Sequence, residues 1–282
     1  MISYLGGKSR ISSWIIPFIP KDIETYVEPF SGQFWVYFKM ILNQYPNLKT
    51  VVYNDFNQLN ANLYKCVKDY DRLYNEMLRY PYQKMGEDID PSEYENIFNV
   101  CQKEVFDPSF VVSNEADFDV AVKYLYVLCH IFSGGKPGKS KFIYYHGKYR
   151  DKCLVFMDKL KKKEWRDHFD KITNVENKDF CEIIQKYDNE NAYFYIDPPY
   201  FNTEHYYSNH EFGKDDHKRL VDCLKNIKGR FALSYYDFPG LSDWFPKDQY
   251  RWESKEFAKA ASASKDKKQN KGTELLIMNY NL

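Results

Sequence analysis

Residues 192–207 read AYFYIDPPYFNTEHYY. The apolar run that opens this stretch ends in Asp197, two consecutive prolines and Tyr200. A proline cannot donate to a sheet ladder and biases the residue before it toward extended backbone, so a strand here must stop at Ile196–Asp197. The result is a carboxylate and an aromatic ring held on a stiff turn at a strand end.

Working outward, strand and helix patterns alternate. TYV runs into EPFSG at 28–32, and FWVYFKMILNQY, Phe34 to Tyr45, has helical periodicity. TVVYND at 50–55 reads as a short buried strand leading into the helix-like FNQLNANLYKCVKDY. Downstream, DFCEIIQKY reads as helix, AYFYID as strand, KDDHKRLVDCLKNI as helix, RFALSYYD as strand and ELLIMNYNL as a final strand. This alternation predicts an α/β fold of parallel strands joined by crossover helices.

Residues 65–167 break the pattern. MGEDIDPSEYENIF offers a Pro-Ser helix start, and DFDVAVKYLYVLCHIF is a strongly apolar helix. SGGKPGKSKFIYYHGKYR is Gly-rich, carries Lys136, Lys139, Lys141, Lys148 and Arg150 and has no acid; MDKLKKKEWRDHF then reads as a basic helix. The economical division is a sheet domain from 1–64 and 168–282, with a mostly helical module, 65–167, inserted after the second strand.

The chain has 282 residues with 40 basic and 40 acidic side chains, so net charge alone announces no nucleic-acid partner. Its six cysteines, Cys66, Cys101, Cys129, Cys153, Cys181 and Cys223, are scattered, with no CxxC pair or Cys/His cluster at zinc spacing. No structural metal is therefore expected, and the cysteines read as reduced thiols of a cytoplasmic protein. No segment approaches the ~20 apolar residues of a membrane span.

GGKPGKS at 134–140 invites comparison with a phosphate-binding loop, but its spacing is one residue short and Pro137 removes a backbone donor. EPFSG is a small-residue turn opening after a strand, the place where α/β sheets bind nucleoside-containing cofactors, and Gly32 permits close backbone approach. Asp55 suits ribose hydroxyls, although an acid at this point is, taken alone, more often a helix cap. Each signal alone is weak.

Their combination is not. YLGGK at 4–8, VEPFSG at 27–32, YND at 53–55, KDF at 178–180 and DPPY at 197–200 occur in that order. Together with YYSNHEFGKDDHKRLVDCL and KGTELLIMNYN, they resemble the Dam-type family of S-adenosyl-L-methionine-dependent DNA adenine methyltransferases. The resemblance covers roughly two-thirds of the chain, and one position departs from it: Phe34 stands where the family usually has a small residue.

The resemblance implies a Rossmann-like methyltransferase sheet with helices on both faces, double-stranded DNA as partner, and base flipping. It makes Asp197, Pro198, Pro199 and Tyr200 the catalytic turn, with Asp197 and the Pro198 carbonyl accepting the two amino hydrogens and Tyr200 stacking on the base. Cofactor contacts carried over are Tyr4, Lys8, Phe30, Gly32, Asp55, Asp179, Phe180 and Asp197, although Asp179 suits a helix N-cap equally well. The module 65–167 becomes the target-recognition element, with Lys136, Lys139, Lys141, Lys148 and Arg150 on DNA phosphates. The Lys-rich KEFAKAASASKDKKQNKGT reads as a flexible segment that also contacts the DNA backbone. A monomer or weak dimer on DNA, in a bacterial or phage-infected cell, completes the expectation. The competing readings are an inactive DNA-binding relative and an amino-methyltransferase acting on cytosine.

Overall fold

The computed structural model describes residues 8–281 apart from 88–89, 133–134, 202–211 and 259–270. Its strands are β1 (Thr25–Glu28), β2 (Thr50–Asn54), β3 (Asn174–Glu176), β4 (Ala192–Ile196), β5 (Arg230–Tyr235), β6 (Arg251–Ala258) and β7 (Lys271–Met278). They form a single 7-stranded sheet in the order β3-β2-β1-β4-β5-β7-β6. β1 to β5 run parallel, and β7 lies antiparallel between β5 and β6. All five residues of β4 are buried, as a strand covered on both faces requires.

The α-helices are α1 (Ser12–Ile15), α2 (Gln58–Val67), α3 (Tyr70–Met77), α4 (Ser92–Val105), α5 (Phe118–Cys129), α6 (Lys152–Lys161), α7 (Lys163–Lys171), α8 (Phe180–Tyr187), α9 (Lys214–Lys225) and α10 (Leu241–Trp244). α8 and α9 bury Ile183, Ile184, Leu220 and Leu224 against Phe194, Ile196 and Phe231 on one face of the sheet. On the other face, Tyr26, Val51 and Tyr193 share one apolar cluster with Phe98 of α4 and Leu125 of α5. The helices between β2 and β3 are thus continuous with the sheet's own core. Among the described residues, no helix is long and apolar enough to cross a membrane.

Three local expectations are corrected. Phe34–Tyr45 is not a helix: only single 3-10 turns form, at Tyr37–Lys39 and Leu42–Gln44. The backbone at Phe34 has φ of 56°, in the left-handed region, which a continuous helix cannot contain. The basic helix spanning 157–169 is two helices broken at the extended residue Lys162. The Lys-rich segment is not loose throughout, since Lys255–Ala258 and Lys271–Thr273 pair across β6 and β7.

All six cysteines are free thiols, four of them buried. Among the described residues, the scattered spacing conceals one convergence: the ligating atoms of buried His130, Asp151 and Cys153 lie within 4.8 Å of one another. Hydrogen bonds already account for His130 and Asp151 there. The ring Nε2 of His130 is 2.9 Å from Asp151 Oδ2, and its Nδ1 is 2.8 Å from the Tyr126 carbonyl.

Candidate active site

β1 and β4 are parallel neighbours, and the strand order reverses between them. In open α/β sheets, ligands bind at such a switch point, beyond the carboxyl ends of the strands. EPFSG and DPPY leave the sheet side by side there, flanked by YND from β2 and KDF before α8.

Asn54 ties three of these turns together. Its Nδ2 donates to the carbonyls of Pro29 (2.8 Å) and Lys178 (3.0 Å), and its Oδ1 accepts from Lys178 N at 3.0 Å. Its backbone N–H donates to Ser31 Oγ at 3.0 Å, while Ser31 N donates to the Asn54 carbonyl at 2.9 Å. Gly32, with φ of 50°, takes the left-handed turn that a side chain resists.

Asp55 braces that turn. Its Oδ2 accepts from Gly32 N at 3.0 Å and Asn60 Nδ2 at 2.9 Å, and its Oδ1 accepts from Asn57 N at 2.8 Å. The α2 cap itself is Asn57, whose side chain accepts from Leu59 N at 3.0 Å. Burial pushes the Asp55 carboxyl up to about 6, against the pull of those donors.

Phe34 points away from this surface into the core. Its fully buried ring stacks on Tyr37 at 4.5 Å and meets Tyr53 and Tyr64 edge-on at 5.3 and 6.0 Å. A left-handed non-glycine residue costs roughly 1–2 kcal/mol, which such aromatic contacts offset. A glycine here would relieve that backbone without reference to any pocket.

At the end of β4, Asp197 Oδ1 is 2.8 Å from Lys8 Nζ and accepts from the Tyr200 hydroxyl at 3.1 Å. Lys8 Nζ also donates to the Tyr200 oxygen at 2.5 Å and lies 4.7 Å from the ring centroid. The fourth member is Glu274 of β7, which accepts from Tyr200 and sits 3.2 Å from Lys8. The Asp197 side chain is 18% exposed and that of Glu274 only 1%. Burial lifts the Asp197 carboxyl to about 6; Lys8 opposes the rise and Glu274 adds to it. The Tyr200 ring is 7% exposed, wedged against Tyr236 (4.3 Å) and Tyr235 (5.4 Å). Lys8, Asp197 and Glu274 all engage its hydroxyl, which sequence reasoning left out.

Lys8 thus joins the Asp197–Tyr200 turn, and Asp55 joins Gly32, beyond the carboxyl end of the parallel sheet. Phe30 stacks on Phe180 at 5.2 Å, and both contact Phe212 at 5.8 Å, giving an aromatic wall. Asp179 caps α8 by accepting from Cys181 N at 2.9 Å and takes Arg219 of α9 at 2.8 Å. Pro198 and Pro199 form the turn without regular structure. Tyr4 lies outside the described residues.

The basic stretch is elsewhere, laid over α4 and α5. Gln102 Nε2 donates to the Ser140 carbonyl at 2.9 Å, Ile143 N to the His130 carbonyl at 2.8 Å, and the Tyr145 hydroxyl to the Cys129 carbonyl at 2.8 Å. Lys136, Lys139, Lys141, Lys148 and Arg150 are all exposed. Arg150 is committed to Asp158, which it holds with both terminal nitrogens. Of the interleaved aromatics, Tyr144 and Tyr145 are half-buried, whereas Tyr149 stands out into solvent.

Asn54 and Glu274 were missed from sequence. Glu274 left one trace: an acid opening an otherwise apolar strand, ELLIM.

A sheet in this order, with an Asp-Pro-Pro-Tyr turn at the switch point, defines a methyltransferase acting on an amino group. The chain belongs to the D12 class N6 adenine-specific DNA methyltransferase family, whose model matches residues 4–267. It is 28% identical to the type II methyltransferase M.MjaIII of Methanocaldococcus jannaschii, over 99% of this chain and 98% of that protein. It is 25% identical to the type II methyltransferase M.CviBI of Paramecium bursaria Chlorella virus NC1A, over 83% of this chain and 81% of that one.

Proposed function

We propose that this chain transfers a methyl group from S-adenosyl-L-methionine to the 6-amino group of a flipped adenine in double-stranded DNA. The observation that carries the reading is the Asp197 carboxylate, held by Lys8 and Tyr200 at the carboxyl end of β4. An aromatic amine is a poor nucleophile because its lone pair is delocalised into the ring. Asp197 and the Pro198 carbonyl accept its two hydrogens and so draw the nitrogen toward the tetrahedral geometry of the transition state. The two prolines fix both acceptors in advance. Reaching the amino group requires the base to leave the duplex, at a cost of a few kcal/mol.

The donor set fits the cofactor. Two carboxylates around one ammonium suit a cation, the Gly32 turn allows close approach, and the Phe30 and Phe180 rings suit a nucleobase. When bound, the cofactor supplies an electrophilic methyl on a sulfonium. Asp55 keeps lone-pair capacity on Oδ1 for a ribose hydroxyl, while Asp179 acts by capping α8.

Only ionised Asp197 accepts the amino hydrogen bond well. Activity is therefore expected to hold on a plateau at neutral pH and to fall about tenfold per pH unit below about 6, where the carboxyl gains its proton. A rate-versus-pH profile at saturating substrates that stays flat through that region removes Asp197 from this role.

Residues 65–167 are the target-reading module in this proposal, and Lys139, Lys141 and Lys148 face DNA phosphates. Replacing the three by Ala should weaken DNA binding and reduce its salt slope by up to ~0.9 per lost contact, with cofactor affinity unchanged. Fluorescence-anisotropy titrations at several salt concentrations measure this; an unaltered slope places the DNA surface elsewhere.

The direct test is incubation of unmethylated DNA with the protein and S-adenosyl-L-methionine, followed by sequencing that detects modified bases in context. N6-methyladenine at a recurring short sequence is expected. Methylcytosine, or no modification, overturns the reading.

A further inference from the structure

We propose that Glu274 leaves the transfer site with one uncompensated negative charge and thereby favours the sulfonium cofactor over its demethylated product. The inference rests on the cofactor reading above and deepens it. Asp197 and Glu274 converge on a single ammonium, Lys8, at 2.8 and 3.2 Å. Among the described residues, two carboxylates against one cation leave a net charge of minus one.

The other titratable groups that face the cluster among the described residues do not cancel it. Burial holds the hydroxyls of Tyr200 and Tyr195 well above their ordinary range, and also raises that of Tyr236, so all three are neutral. Glu28 of β1 is fully buried, and burial raises its carboxyl well above the usual range, which favours its uncharged form. Lys255 is the cross-strand partner of Glu274 but is exposed, where water screens it.

An excess buried charge is costly unless a counter-charge arrives. S-adenosyl-L-methionine brings a sulfonium; S-adenosylhomocysteine, its product, has a neutral thioether. The two share every other ionisable group, so their affinity ratio isolates the effect of that one charge. Transfer moves the positive charge off sulfur, and the same carboxylate then ceases to hold the spent cofactor.

The test is calorimetric titration of the full chain with each compound, for wild type and Glu274→Gln. Glutamine keeps an acceptor for Tyr200 and Lys8 but removes the charge. The preference for S-adenosyl-L-methionine over S-adenosylhomocysteine should fall about tenfold, as expected of a nearby charge in a half-buried site, with the neutral product's affinity nearly constant. A folded variant, judged by its melting temperature, whose ratio stays within about twofold of wild type overturns the inference. Failure of wild type to bind either compound instead overturns the cofactor reading.

Should the variant not fold, wild type decides. As pH falls through about 6, Asp197 takes up a proton and the excess charge disappears. The preference must then decline, and a ratio constant across that range overturns the proposal.

Discussion

Asp197→Ala is expected to lose about 100- to 1000-fold in turnover, the ~3–4 kcal/mol that a preorganised electrostatic group of this kind contributes, while keeping its fold. The cluster explains why stability survives. With Asp197 gone, Lys8 keeps Glu274 at 3.2 Å, and the Tyr200 hydroxyl keeps both Lys8 and Glu274. No buried charge is left alone, so the large cost of breaking an ion pair does not arise. Methyl incorporation into DNA and a melting curve on the same preparation separate the two effects. Near-normal turnover would remove Asp197 from the chemistry; collapse of the fold would make it structural.

Asp151→Ala should do the reverse, damaging stability far from the transfer site. Asp151 is fully buried and accepts from His130, from Gln83 N at 3.0 Å and from Cys153 N at 2.8 Å, the last capping α6. Burial alone would raise its carboxyl; the His130 contact and the two backbone donors outweigh this and hold it below the usual range. Removing one partner of such a pair costs ~3–5 kcal/mol, so the melting temperature should fall by roughly 10 °C. A fall of only a degree or two would show that the pair contributes little.

The sign with pH follows from the shift. A carboxyl whose folded-state pKa is depressed gives stability above the unfolded value of about 3.9, which is lost as pH falls through the folded value. Asp55 and Asp197, raised to about 6, act oppositely. Their protonated forms favour the fold, and that contribution is lost as pH rises through about 6. Acid unfolding of wild type should therefore start below about 4, and replacing Asp151 should flatten the dependence of stability on pH in that range.

The parallel core was legible because each of its longer strands is an apolar run closed by turn residues, as in AYFYID before Pro198. β3 was not, being three half-buried residues too short for any alternation to show. β6 resembled a solvated tail because edge strands carry charge, here Arg251, Glu253, Lys255 and Glu256. At Phe34–Tyr45, dense apolar residues mimicked a helical face. They are dense because Phe34, Tyr37 and Phe38 sit inside an aromatic cluster, not because one side of a helix faces the core. The candidate site was legible where it is local, in DPPY, EPFSG and YND. It was illegible where it depends on pairing across the sheet, as with Glu274.

That pairing has a consequence in time. Lys8 and Tyr200 meet Glu274 only after β7 slots between β5 and β6, and β7 follows every other described strand in the chain. A chain still emerging from the ribosome can have made Asp197 and its two prolines and yet hold no counter-carboxylate for Lys8 and no anchor for the Tyr200 hydroxyl. Closing contacts between residues so distant in sequence is also intrinsically slow. Methylation competence should therefore appear in one late step when β7 docks, so nascent and truncated chains would leave nearby DNA unmarked.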